Sequence, residues 1–262
     1  METGESMLFE AKGHIGLITL QCPERLNVLN YNTLCSLDKV VEKIQQNPKE
    51  IRTVVITGEG RAFSAGADLK ERKTLNEQQV RRNVAKIRDV FTAIERLPQP
   101  TIAAINGYAF GGGFELALAC DFRFAVHDAV MGLTEVSQGI IPGAGGTQRL
   151  TRLVGPSISK ELILTARRIS AQQAWDYRIL NGVATDQKEL MEKSFALAEE
   201  IANNAPRAVF EAKYAISKGA NTDIQTGIDI ETKAYEVIIP TKDRLEALAA
   251  FEEKRKPIFT GE

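Results

Sequence analysis

Histidine and cysteine are scarce in this chain, and several signatures that would announce a cofactor are missing. Two histidines, His14 and His127, with no HExxH pairing, leave too few imidazoles for a zinc centre. The three cysteines (Cys22, Cys35, Cys120) are odd in number, widely spaced and without a CxxC pair. They argue against a disulfide framework and suit a reducing compartment: a bacterial cytoplasm, or the mitochondrial matrix for a processed mature chain. No Gly-Lys dipeptide occurs, so there is no Walker A loop, and no GxGxxG marks a dinucleotide site. No apolar run reaches the roughly 18 residues of a membrane span. The acidic start, Met-Glu-Thr-Gly-Glu-Ser, lacks the apolar stretch of a signal peptide and the arginines of a transit peptide. Neither sign of charge dominates: 33 Lys and Arg face 34 Asp and Glu, and a net charge of −1 argues against a general nucleic-acid surface. No internal repeat or low-complexity segment is visible.

What is present suits a soluble globular protein with a sizeable core: 262 residues, 44% hydrophobic and 26% charged. Alternation and β-branching predict strands over 14–20, 52–57, 101–105, 121–126 and 129–133. Helical periodicity is expected over 30–44 and 75–97, the latter stopped by Pro98 and Pro100. After residue 146 helical patterns dominate: 148–153, 157–165, 171–177, 188–203, 207–218, 223–237 and 241–254. Strands mixed with helices come first and a helical third last, which points to an α/β core over residues 1–187 followed by a helical region over 188–262.

The most informative stretch is Gly111-Gly112-Gly113-Phe114-Glu115, with Glu135 twenty positions on. Three glycines strip side chains from a piece of backbone, and an apolar helical pattern follows at once. The bare N–H groups therefore sit at a helix start, where negative oxygen is stabilised. Glu115 falls in that first turn. The loop Phe63-Ser64-Ala65-Gly66-Ala67-Asp68 follows a strand and could present a second backbone donor, or could be a plain turn with Asp68 as a helix cap. Glu135 is followed by the Gly- and Pro-rich apolar segment 139–149, which reads as a shaped wall. A carboxyl against such a wall has its pKa raised, as a general acid requires. Lys70, Arg72 and Lys73 read as a solvated face that could serve phosphates near an anionic ligand. A rival enzyme reading takes Ala62–Gly66 as a degraded GxSxG elbow, with Ser64, Asp121 and His127 as the triad. One of the motif's glycines is absent, and Asp121 and His127 are nearly adjacent.

In order along the chain, Pro23-Glu24-Arg25-Leu26-Asn27, the segments 63–70 and 105–116, Ile141–Leu150 and Phe251–Arg255 together resemble the enoyl-CoA hydratase/isomerase (crotonase) family. The resemblance implies an α/β crotonase fold, a spiral of β-β-α turns with a helical C-terminal trimerisation region, assembled as a homotrimer or as a hexamer of paired trimers. It implies an acyl-CoA substrate, with coenzyme A part of that substrate, and no metal or separate cofactor. A thioester oxygen would rest on the N–H groups of Ala67 and Gly112. Arg25, Val28, Ala65, Asp68 and Leu69 would hold the CoA moiety, with Lys254 reaching its nucleotide end from a neighbouring subunit. Hydratases of the family resemble this chain in carrying glutamate at both Glu115 and Glu135, whereas many isomerases keep only the later one. The expected activity is hydration of a 2-enoyl-CoA, in a fatty-acid degradation setting. Wording near residues 64–72 is similar to methylglutaconyl-CoA hydratases, and that near 141–152 to short-chain hydratases. RNA binding, reported for AU-binding relatives through a Lys-rich helix, is not carried over, because Lys86, Arg88 and Arg96 alternate with Asp89 and Glu95 in the corresponding stretch. A binding protein of this fold without hydration is the reading from a different class.

Overall fold

Three times in succession the chain runs through two strands and then into helix, and each round adds one strand to each of two sheets. The computed structural model describes residues 2–4 and 6–262. Strands β1 (Glu2–Gly4), β2 (Met7–Lys12) and β3 (Ile15–Leu20) pair antiparallel in that order. Helix α1 (Tyr31–Gln46) follows, its cap Asn30 accepting from the Thr33 amide. The first round comprises β4 (Thr53–Gly58), β5 (Ala62–Ser64), the single turn α2 (Leu69–Arg72) and α3 (Glu77–Glu95). The second is β6 (Thr101–Ile105), β7 (Tyr108–Phe110) and α4 (Gly112–Ala119). The third is β8 (Phe122–Val126), β9 (Val130–Gly132), a 3-10 turn over Glu135–Gln138 and α5 (Gly146–Leu164). Then come β10 (Ile169–Ser170), α6 (Ala171–Asp176), β11 (Gly182–Ala184), α7 (Gln187–Ala202), α8 (Pro206–Gly219), α9 (Ile224–Ile238) and α10 (Lys242–Glu252).

The larger sheet has the order β1-β2-β3-β4-β6-β8-β11 and is parallel from β3 onward. The smaller has the order β10-β9-β7-β5, parallel except for β10. This is the expected spiral of β-β-α turns with a helical C-terminal region. Parallel strands covered on both faces read as unbroken apolar runs, and every residue of β4 and β6 is buried. All eight residues of α4 are buried too. That helix lies so close to β5 that a Cβ on Gly113 would stand 2.1 Å from the Ser64 carbonyl oxygen.

Strands β5, β7, β10 and β11 are two or three residues long, too short to show a period, and so escaped sequence reading. The threefold structural repetition is likewise invisible in the residues. The two helices expected over 148–165 form α5, broken at Gly155 (φ 79°, ψ 165°) and Pro156. Helix α7 lays Leu190, Ala198 and Ala202 on the larger sheet, and Arg52 ties that sheet to the Ala202 and Phe259 carbonyls. Helices α8 to α10 leave Ile216, Ile224 and Phe251 at least 71% exposed.

Candidate active site

Two loops meet at the C-terminal ends of β5 and β7. After β5 the chain is stitched to residues 26–29: Ala65 N–H donates to the Leu26 carbonyl (2.8 Å) and Leu29 N–H to that of Gly66 (2.8 Å), and Leu29 bridges Ala67. Gly66 takes φ +84°, and a Cβ there would lie 2.6 Å from the Phe110 oxygen and 2.8 Å from the Gly112 nitrogen. A Cβ on Gly112 would in turn stand 3.6 Å from the Ala67 nitrogen. The amides of Ala67 and Gly112 thus belong to one small patch, and both residues line the same cavity. Gly112 is the first residue of α4, where an N–H has no intrahelical acceptor. Among the described residues neither amide donates to another protein group. An oxygen carrying negative charge between them could accept from both.

The glutamates arrive by separate routes. Helix α4 buries Glu115, whose Oε1 accepts from the amides of Ala144 and Gly146, each at 2.8 Å. A Cβ on Gly146 would crowd Leu133 Cδ1 (2.9 Å) and that same Oε1 (3.0 Å). The loop carrying these donors is braced from outside. Arg149 donates to the Ala144 carbonyl (2.7 Å) and, through Nε and Nη2, to the two oxygens of Glu95 (3.0 and 2.8 Å). Glu115 Oε2 has no protein partner among the described residues. Glu135 comes from the third round. Phe110 pairs with Gly132 across the β7–β9 ladder, and Gly111 N–H donates to the Gly132 carbonyl (2.9 Å). Residues just after β9 are therefore delivered to the start of α4. A Cβ on Gly111 would lie 3.3 Å from Glu135 Oε1.

Both carboxyls border a cavity of about 110 Å³ whose walls include Val84, Ile87, Ile140 and Ile141. Burial raises the Glu115 pKa, opposed by its two backbone donors and then by Arg149. Burial, followed by the nearby Glu115 charge, pushes Glu135 up to about 7, against its own backbone amide and Arg72. Glu135 Oε2 is buried without a partner among the described residues. The two environments separate the carboxyls, one strapped by amides and one against apolar walls, and so suit them to opposite proton duties.

The remaining expected positions divide. Ala65 and Leu69 line the cavity. Arg25 forms an ion pair with the buried Asp68. Asp68 also caps α2 through the Lys70 and Glu71 amides, so the plain cap reading of that residue holds. Val28 is half-buried in the strap beside Leu29. Lys254 is exposed past the end of α10 and borders none of this cavity. Missing from the sequence reading were Val84 and Ile87, although the spacing of Val80, Val84 and Ile87 marks one face of α3. Arg72 was read with Lys70 and Lys73 as a solvated face or a phosphate contact; of the three, it lines the cavity. The Glu95–Arg149 brace left no sequence signal.

The hydrolase triad does not assemble. Ser64 is fully buried, its hydroxyl donating to the Asn27 carbonyl (2.7 Å) and accepting from Gly66 N–H (3.1 Å). Asp121 is engaged by Thr101 and Lys213, and His127 is exposed. Ser64→Ala is expected to lower stability by about 1–3 kcal/mol, the cost of stranding buried polar partners. Calorimetry should show a lower Tm with turnover retained well below it; abolished turnover in a folded variant would revive the nucleophile. Among the described residues no group of three or more His, Cys, Asp or Glu could hold a metal ion, and no helix is long and apolar enough to cross a membrane. On α3, Lys86 pairs with Asp38 and Arg88 with Asp89.

Comparison with known proteins gives a consistent picture. The enoyl-CoA hydratase/isomerase family profile matches residues 10–262. A crystal structure of enoyl-CoA hydratase from Bacillus anthracis superposes with a TM-score of 0.95 at 50% identity, covering 98% of this chain and 100% of that one. A short-chain-enoyl-CoA hydratase of Clostridium acetobutylicum is 41% identical over 252 residues, 96% of each chain. The mitochondrial methylglutaconyl-CoA hydratase of Mus musculus is 46% identical over 240 residues, 90% of this chain and 76% of that protein.

Proposed function

Because the chain belongs to the enoyl-CoA hydratase/isomerase (crotonase) family, we propose that it adds water reversibly across the C2–C3 double bond of a 2-enoyl-CoA, giving a 3-hydroxyacyl-CoA. The observation that carries this reading is a pair of glutamates in unlike environments on one cavity, beside two amides without a protein acceptor among the described residues. Conjugation makes C3 electrophilic. The Ala67 and Gly112 N–H groups polarise the thioester carbonyl and hold the enolate oxygen as charge develops. Glu115, fixed through Oε1, uses Oε2 to orient water and takes its proton as the oxygen bonds to C3. Glu135 gives its proton to C2. The site ends with one proton still on the pair, now on Glu115, and solvent exchange resets it. A double-bond isomerase needs only a proton shuttle, whereas the strapped Glu115 with one free oxygen favours activation of water.

For coenzyme A we propose the strap and loop residues Arg25, Val28, Ala65, Asp68 and Leu69, supported by their stitching beside the Ala67 amide. Lys254 of a neighbouring subunit would complete the nucleotide end. The exposed apolar side chains of α8 to α10 support assembly as a trimer or paired trimers.

The test is hydration of crotonyl-CoA followed against pH. Glu135 titrates near 7, and hydration needs its proton, so kcat/KM is expected to fall as pH rises through about 7. Dehydration starts from the same pair carrying the same single proton, so both directions should share one profile. A shifted double bond without water uptake would sink the hydratase reading.

A further inference from the structure

Glu95 and Arg149 sit at the wrong ends of two helices. A helix favours anions near its start and cations near its end. Glu95 is the last residue of α3, and Arg149, the fourth of α5, reaches back past the start of that helix to the Ala144 carbonyl. Helix stability gives no reason for either charge. The ion pair supplies little more, since the Glu95 side chain is 47% exposed and solvent screens it.

The place where the guanidinium lies does supply a reason. Ala144 is held from both sides: its amide donates to Glu115 Oε1 (2.8 Å) and its carbonyl accepts from Arg149 Nη1 (2.7 Å). Gly143 and Gly145 flank it, so the backbone can turn freely before and after this residue. A loop of that kind does not hold its own shape. Gly145 also leaves room for the brace, because a Cβ there would stand 2.9 Å from Arg149 Cζ. The Nε and Nη2 donors meet the two oxygens of Glu95 at 3.0 and 2.8 Å, a two-point grip that fixes the plane of the guanidinium. The helix that ends at Glu95 carries Val84 and Ile87 in the cavity wall. The brace therefore ties one wall of the site to the loop that holds Glu115.

We infer that Arg149 is a positioning residue for the hydration step and Glu95 its anchor: together they fix the Ala144 amide, and through it the direction in which Glu115 Oε2 faces. This rests on the hydratase reading, in which that oxygen takes the proton of water. Arg149 borders none of the cavity, so its influence on the reaction passes through Glu115. Without the guanidinium the Ala144 peptide can swing, and Glu115 keeps only its bond from Gly146 and turns about it. A misplacement of about 1 Å at the reacting atoms costs roughly 10²-fold in rate.

The experiment measures steady-state hydration of crotonyl-CoA by four forms of the full chain: wild type, Arg149→Met, Glu115→Gln and the double variant. Arg149→Met should lower kcat by roughly 10- to 100-fold, with KM changed far less. Added to Glu115→Gln, the same substitution should cost less than about 3-fold, because no base is left to aim. A merely structural role, through damage to the fold or to the Ala67 and Gly112 amides, would lower the rate by the same factor in both backgrounds. Arg149→Lys should fall between wild type and Arg149→Met, since one ammonium cannot serve Ala144 and both oxygens of Glu95 together. If Arg149→Met does not fold, Glu95→Gln at the half-exposed end of the brace replaces it. That variant should lose roughly 3- to 10-fold in kcat, again only where Glu115 is present. Equal losses in both backgrounds, or wild-type kcat in a folded Arg149→Met or Glu95→Gln enzyme, would overturn the inference. A wild type that does not hydrate crotonyl-CoA, or a Glu115→Gln variant that does so normally, would instead remove the hydratase reading itself.

Discussion

Glu135→Gln is expected to lower kcat for enoyl-CoA hydration by roughly 10²–10⁴-fold, the usual contribution of a positioned acid or base, with KM changed far less. Glutamine keeps the shape of the side chain over Gly111, so the cavity and its amides stay in place while the transferable proton is lost. Glu115→Gln should cost as much: its amide oxygen can still accept from the two backbone donors, but the nitrogen left at the Oε2 position cannot take a proton from water. The double variant should fall little below either single one, because the two groups act as a unit. Steady-state hydration of crotonyl-CoA measures all three, and near-wild-type turnover in either single variant would end the assignment.

Glu135 also links the site to stability. Its folded pKa is raised above the unfolded value, so the favourable contribution of its protonated form is complete below about 4.5 and is lost as pH rises through about 7. The wild type should therefore lose stability across that window. Glu135→Gln removes this part of the slope, and melting curves between the two limits would show it.

Gly66→Ala carries the second large effect. The residue sits at φ +84°, and its new Cβ would lie 2.6 Å from one backbone oxygen and 2.8 Å from the Gly112 nitrogen. Both neighbours are main chain and cannot turn aside, so the loop has to shift and the Ala67 and Gly112 amides must separate. The loss of one oxyanion donor costs about 10²–10³ in kcat, and a similar fall is expected here. Backbone strain should add about 1–3 kcal/mol of instability. Gly13→Ala separates the two causes, because Gly13 has φ +59° with no atom within 4 Å. It should show strain without loss of rate. A Gly66→Ala enzyme with normal kcat would mean that the two amides do not act on one oxygen.

Much of this site was legible locally. Three adjacent glycines before an apolar helical run announce a helix start with bare amides, and Glu115 falls within that turn whatever the rest of the chain does. Glu135 stood out through the glycine-rich wall that follows it. Its partnership with Glu115 was legible only through the family resemblance, since it depends on the register of β7 against β9, which leaves no mark in either segment. Arg72 did not stand out from Lys70 and Lys73 for a related reason. Alternating charges mark a solvated face unless tertiary packing turns one of them inward, and here α3 and the wall of residues 139–146 fold over it.

By itself, then, the sequence determined the local chemistry: which backbone could be approached, where helices begin, which strands are buried on both faces, and which carboxyls were available. Only the tertiary structure decided which of these meet. The meeting is made by backbone pairings between segments distant in sequence, Leu29 with Ala67 and Phe110 with Gly132. Main-chain hydrogen bonds hold such pairings, and they are nearly blind to side-chain identity, so residue patterns could not reveal them.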